Sequence, residues 1–128
     1  YAIGMGNPHL VIIVGNLEDV PIEKWGPILE NNCNFPSKTN VHFVQIISKL
    51  LINVLVWERG CGPTLACGTG ACACAVVVIS LGLCDSDLIV NLPGGKLKID
   101  WHSIDSNCMM TGPAKFVFSG VWNSSLTS

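Results

Sequence analysis

Charge is scarce in this sequence. Only 12% of its 128 residues are Asp, Glu, Lys or Arg, and Arg59 is the single arginine. Seven Lys and Arg stand against nine Asp and Glu, a net charge of −2 with no basic cluster, so the electrostatic footprint that binding to nucleic acid requires is missing. A bilayer-crossing run is also lacking, because the most apolar stretch, Ala71 to Leu83, is shorter than the ~20 residues a span needs. The seven cysteines contain no Cys-x-x-Cys pair, and Cys72 and Cys74 would point to opposite sides of a helix, which argues against a zinc site. Their odd number, with no charged-then-apolar leader before them, predicts free thiols in a reducing compartment, hence a cytoplasmic protein. No polar leader introduces the first apolar segment, as expected of the interior of a longer polypeptide. What is abundant is apolar: 49% of the residues are hydrophobic, enough for one compact domain that buries roughly two thirds of its unfolded surface.

Short apolar segments divided by turn residues predict a chain rich in strands. Leu10 to Val14 reads as a buried strand stopped by Gly15-Asn16, and Leu17 to Asn32 as a helix, with Ile22, Trp25, Ile28 and Leu29 at helical spacing and Pro27 forcing a restart or a kink. Thr39 to Ser48 and Leu50 to Trp57 read as strands joined near Ser48-Lys49. Leu88 to Leu92, Lys96 to Trp101, Cys108 to Thr111 and Phe116 to Val121 read as four more. One element differs. From Thr69 to Ser80 the chain offers about three helical turns with no polar face, stopped by Gly82. A helix apolar all round must be surrounded by protein, so the predicted class is α+β: a barrel-like, mostly antiparallel sheet wrapped around a central buried helix.

Chemistry concentrates in the stretch from Trp57 to Gly70, which leaves a strand, passes glycine-rich through Cys61 and Pro63, and enters that helix at Cys67. Backbone N–H groups and the positive end of the helix would stabilise a thiolate at Cys67, making it a usable base or nucleophile. Gly68 and Gly70 flank Thr69 and leave N–H groups open to a small anion. Cys33, Cys72, Cys74, Cys84 and Cys108 read instead as inert structural thiols among apolar neighbours. Glu58 and Arg59, adjacent and of opposite sign a few residues before Cys67, suit a zwitterion: a guanidinium holds a carboxylate in two places and a carboxylate holds an ammonium. Asn7, His9 and Asn40 stand in loops or at strand ends, where each alone reads as an ordinary turn or surface residue; His42 and His102 carry no further signal.

Five motifs in order resemble the diaminopimelate epimerase family: Gly-Asn-Pro-His at 6 to 9, Thr-Asn-Val at 39 to 41, Glu-Arg-Gly at 58 to 60, Ala-Cys-Gly-Thr-Gly at 66 to 70, and Met-Thr-Gly-Pro-Ala at 110 to 114. The resemblance runs from Met5 to Val121 and covers only that family's C-terminal half. It implies a half-domain over residues 1–122 followed by a polar tail at 123–128, with one of two catalytic cysteines, Cys67, and the other on an N-terminal half not contained in this sequence. It further implies a PLP-independent isomerase of lysine biosynthesis that interconverts LL- and meso-diaminopimelate with no cofactor and no metal, one cysteine removing the α-proton while the other delivers a proton to the opposite face.

By the same resemblance, Gly68 and Thr69 become backbone donors to the reacting carboxylate. Asn7, Asn40 and Arg59 read the distal carboxylate and its surroundings, Glu58 contacts an ammonium, and His9 lies in the site. The implied partners are the small-molecule substrate and the N-terminal half, with room for a homodimer and with neither nucleic acid nor membrane; a plant-like member would sit in the plastid stroma. Two other readings stay open on the residues alone: half of a related proline racemase or phenazine-biosynthesis isomerase, and a non-catalytic module that keeps the fold. The isolated chain is expected to be inactive.

Overall fold

The computed structural model describes residues 1–122. Strand β3 (Asn40–Ser48) and strand β4 (Leu51–Glu58) form the central antiparallel pair. Strand β2 (Pro8–Ile13) lies parallel to β3, and strand β1 (Ala2–Gly4) pairs antiparallel with β2 at one edge. On the other side of β4, strand β6 (Asp87–Leu92) runs parallel to its first residues, while strand β5 (Gly62–Thr64) folds back antiparallel on its last three. Strands β7 (Gly95–Asp100) and β8 (Met109–Thr111) complete the sheet in antiparallel order. The eight strands form one sheet in which five of seven pairings are antiparallel. The two parallel ones need crossovers, and each is made by a helix.

Helix α1 (Ile22–Glu30) bridges β2 and β3, and helix α2 (Gly68–Ser80) lies between β5 and β6. They occupy opposite faces of the sheet. Helix α2 contributes Ala71, Ala73, Cys74, Ala75, Val77 and Val78 to a core whose other wall is Val11, Val44, Ile52, Val54, Val56, Leu88, Val90 and Ile99. Phe43, next to Val44 and therefore on the other face, is covered by Trp25 of α1 with ring centroids 6.1 Å apart. The small alanines and Cys74 let the sheet curl closely around α2, and burial offsets the few tenths of a kcal/mol that each valine costs in helix propensity. Gly82, at φ +70°, ends the helix as Leu83 N–H returns to the Val78 carbonyl.

The predicted class and central helix match this architecture, and four local expectations change. The helix expected over 17–32 divides into a 3₁₀ turn, Leu17–Asp19, and α1, because Pro21 takes the N-cap position; Pro27 then sits inside α1 without ending it. Strands β1 and β5 are three residues each, too short for an alternation to show. Residues 116–121 form no strand: Phe116 is 85% exposed and Val121 98%, an apolar run with no partner to take up its backbone groups among the described residues. Cys33 is exposed, not packed among apolar neighbours. The tail expected at 123–128 lies outside the described residues.

Gly26 of α1 rests directly on the Trp57 ring, so closely that a β-carbon would overlap Cδ2 and Cε3. Trp57 cannot swing away without releasing the Glu30 carboxylate that its indole N–H donates to at 2.7 Å. Gly26→Ala is therefore expected to cost about 1–3 kcal/mol of stability in denaturant unfolding. An unchanged midpoint would show that α1 is free to lift.

Candidate active site

Cys67 is the N-cap of α2, extended at φ −144° and ψ 110°, and its Sγ accepts the Gly70 N–H at 3.3 Å while its carbonyl accepts the Ala71 N–H. The Thr69 hydroxyl lies 3.7 Å from the sulfur. Gly68 and Thr69 are left with N–H groups that no acceptor among the described residues takes up. The result is a half-buried thiol beside two open donors at the positive end of a thirteen-residue helix. Burial, with Cys108 and Cys67 nearby, pushes the Cys72 thiol up to about 12, and complete burial raises Cys74 well above the usual thiol value.

Behind this first turn stands His42. A β-carbon on Gly70 would overlap its ring, so only glycine lets α2 come down on β3 at this point. His42 Nε2 is 2.8 Å from His9 Nδ1, and His9 Nε2 is 2.8 Å from Asn7 Oδ1. Both rings are fully buried, and Asn7 is half-buried at the end of the row. Burial and the neighbouring His9 hold the His42 pKa down to about 3; burial, then the Arg59 charge, lowers that of His9.

A second row joins β2, β3 and the β4–β5 hairpin. Asn40 donates from Nδ2 to the Pro8 carbonyl at 3.0 Å and accepts the Arg59 N–H on Oδ1 at 3.0 Å. The Arg59 side chain is exposed, with Nη1 donating to the Ser37 carbonyl. The buried Glu30 carboxylate accepts from Trp57 Nε1 at 2.7 Å and from Gly60 N–H at 2.9 Å, gripping the hairpin turn from beneath. The Trp57 hydrogen bond is the main influence holding Glu30 below the usual carboxylate range; burial opposes it, and Gly60, Lys38 and Arg59 act with it. Glu58 accepts the Thr64 hydroxyl at 2.5 Å, which orients its carboxylate across β5.

The first row ties Asn7 and His9 through His42 to the first turn of α2, where Cys67, Gly68 and Thr69 stand; the second ties Asn40 to Pro8 and to the Arg59 backbone, while Glu58 is held to β5 through Thr64. Glu30 and His42 were not singled out in the sequence. His42 alternates with Val41 and Phe43 in a buried strand, which is the signal that it faces inward; Glu30 closes a helix and carries no such mark. Among the described residues, no three of His, Cys, Asp and Glu stand together so as to hold a metal ion, and no helix is long and apolar enough to cross a membrane.

Among solved structures, the chain is similar to the phenazine biosynthesis protein of the PhzF family from Enterococcus faecalis, with TM-score 0.58 and 14% identity over 75% of this chain and 34% of that one. A Bacillus anthracis protein of the same description gives TM-score 0.57 and 20% identity over 83% of this chain and 34% of that one. At such identities the likeness defines the fold alone: a sheet curled about a helix.

The family follows from sequence. The family model for diaminopimelate epimerase matches residues 1–117, and the chain belongs to that family. Diaminopimelate epimerase of Prochlorococcus marinus strain NATL1A is 55% identical over 120 residues, 94% of this chain and 42% of the relative. That of Microcystis aeruginosa is 50% identical over 94% of this chain and 43% of the relative, and that of Xanthomonas euvesicatoria 48% identical over 95% and 43%. The chain thus spans less than half the length of the curated relatives it matches.

The two buried histidines make stability depend on pH. Folded, they resist protonation; unfolded, they take up protons below about 6.5, so the unfolded state binds more protons and acid weakens the fold. The unfolding free energy is expected to fall as pH drops below 6.5 toward 4, by about 1.4 kcal/mol per pH unit for each proton excluded. Glu30, also depressed, adds to the loss below about 4.5. Denaturant titrations across that range check it, and a flat profile between pH 6.5 and 5 would contradict it.

Proposed function

We propose that this chain supplies the C-terminal catalytic half of a diaminopimelate epimerase, acting on LL- and meso-diaminopimelate together with an N-terminal half that carries the opposing thiol. The observation that carries this reading is the Cys67 sulfur at the N-cap of α2 beside the unused N–H groups of Gly68 and Thr69. An amino-acid α-proton is very weakly acidic, and charge that develops on the adjacent carboxylate as the proton leaves needs fixed donors; two backbone N–H groups at a helix start supply them without reorganisation. Cys67 then takes or returns the proton on one face of the α-carbon, and the other half's thiol serves the opposite face.

The far end of the substrate meets the second row. Arg59 and Asn7 hold the distal carboxylate, Asn40 sets the backbone from which Arg59 extends, and the acceptor Glu58 receives an ammonium. Requiring a matched partner at each end is how such a site rejects ordinary amino acids, because an unmatched buried polar group is costly. The exposed apolar side chains of Phe116, Val117, Phe118 and Val121, with the exposed Met109 and Met110 of β8, are the apolar surface on which the N-terminal half would close. Cytoplasm, or plastid stroma for a plant-like member, is the proposed location, and the assembled enzyme has room to dimerise.

LL-diaminopimelate in deuterated water separates the parts of this proposal. The chain alone is expected to give no meso isomer, and adding the N-terminal half to give turnover with deuterium at the α-carbon. Cys67→Ala in the assembled enzyme is expected to lower turnover at least 100-fold, the lower range of general acid–base contributions. Turnover by the chain alone, or undiminished turnover by the variant, would overturn it.

A further inference from the structure

The row from His42 to Asn7 has a direction, and the direction determines what Asn7 offers a ligand. Asn7 Oδ1 only accepts, so His9 Nε2, 2.8 Å away, carries a hydrogen. A neutral His9 then presents a lone pair at Nδ1, and His42 Nε2 must donate to it across the other 2.8 Å contact. That leaves His42 Nδ1 bare. It is the one buried side-chain nitrogen or oxygen without a hydrogen-bond partner among the described residues.

Run the opposite way, with the Asn7 amide turned over, the row would place an N–H on His42 Nδ1, buried with no acceptor and packed against Gly70 in the first turn of α2. A lone pair facing the positive end of a helix is the better occupant, and buried N–H groups without acceptors are the rarer defect. The far end of the row therefore sets the amide orientation independently of the near end.

We infer that His42 and His9 are positioning residues that lock the Asn7 amide with its oxygen inward, so that Asn7 presents only N–H donors to the site. A donor-only Asn7 takes a carboxylate oxygen and disfavours an ammonium. The ligand consequence rests on the function proposed above; the locked row does not. Desolvation of both rings acts in the same sense, since a proton added to His9 would need His42 to turn its hydrogen onto the partnerless Nδ1.

Long-range ¹H–¹⁵N spectra of the histidine rings in the 128-residue chain at pH 7 test the lock without substrate. Both rings are expected as the neutral tautomer protonated at Nε2. His42→Leu is expected to release His9 into a mixture of tautomers, and His42→Gln, whose amide can still donate, to restore the single form. A hydrogen on Nδ1 of either ring, or a His9 tautomer indifferent to His42→Leu in a folded chain, would overturn the inference. In the assembled enzyme, a fixed row with unchanged KM in Asn7→Ala would instead count against the assignment of Asn7 to the substrate carboxylate and leave the row standing.

Discussion

Helix α2 meets the sheet where Gly70 lies on the ring of His42, a contact that leaves no room for a β-carbon. Everything in the site depends on that approach. It brings the helix start down to the level of the β3 and β4 ends, sets Cys67 as the cap with its sulfur on the Gly70 N–H, and closes a lid over the buried histidine row. The helix can be drawn in this far because its body is alanine, cysteine and valine on every side, so the sheet finds an apolar partner whichever way the helix faces. A helix with a polar stripe would have kept one side in water and its N-terminus at the rim.

Few charges do much of the remaining work. The one arginine is fixed at three levels: its N–H by Asn40, its guanidinium by the Ser37 carbonyl, and the turn that follows it by the Glu30 carboxylate beneath Gly60. Glu30 thereby shapes the site without facing it. Lys38 shares this corner: its Nζ lies 3.8 Å from the Glu30 carboxylate, one residue beyond the Ser37 carbonyl that holds Arg59.

The buried helix, its glycine stop and the thiol at its start were legible because each leaves a local mark: twelve residues without a polar face, Gly82 after them, Gly68 and Gly70 around Thr69. The tight string from Glu58 to Gly70 was legible for the same reason. What escaped were pairings across the fold. The strand pattern around His42 marks it as inward-facing, but its partner His9 lies thirty-three residues earlier, and Glu30 finds Trp57 and Gly60 across the fold, so neither pairing can be read from its own neighbourhood. The segment 116–121 shows the converse: its apolar, aromatic-rich composition is that of a strand, yet composition alone forms no strand when no edge among the described residues receives it.

The central claim is that this chain builds the helix start carrying Cys67 by itself, with α2 anchored in the core and the N–H groups of its first turn unpaired. Native-state hydrogen exchange on the isolated chain measures both parts at once. Amides from Ala73 to Val78 are expected to exchange as slowly as those of β3 and β4, at the rate of global unfolding, while Gly68 and Thr69 exchange freely. If the α2 amides exchange well before the central strands, the chain does not anchor the helix by itself, and the account is wrong.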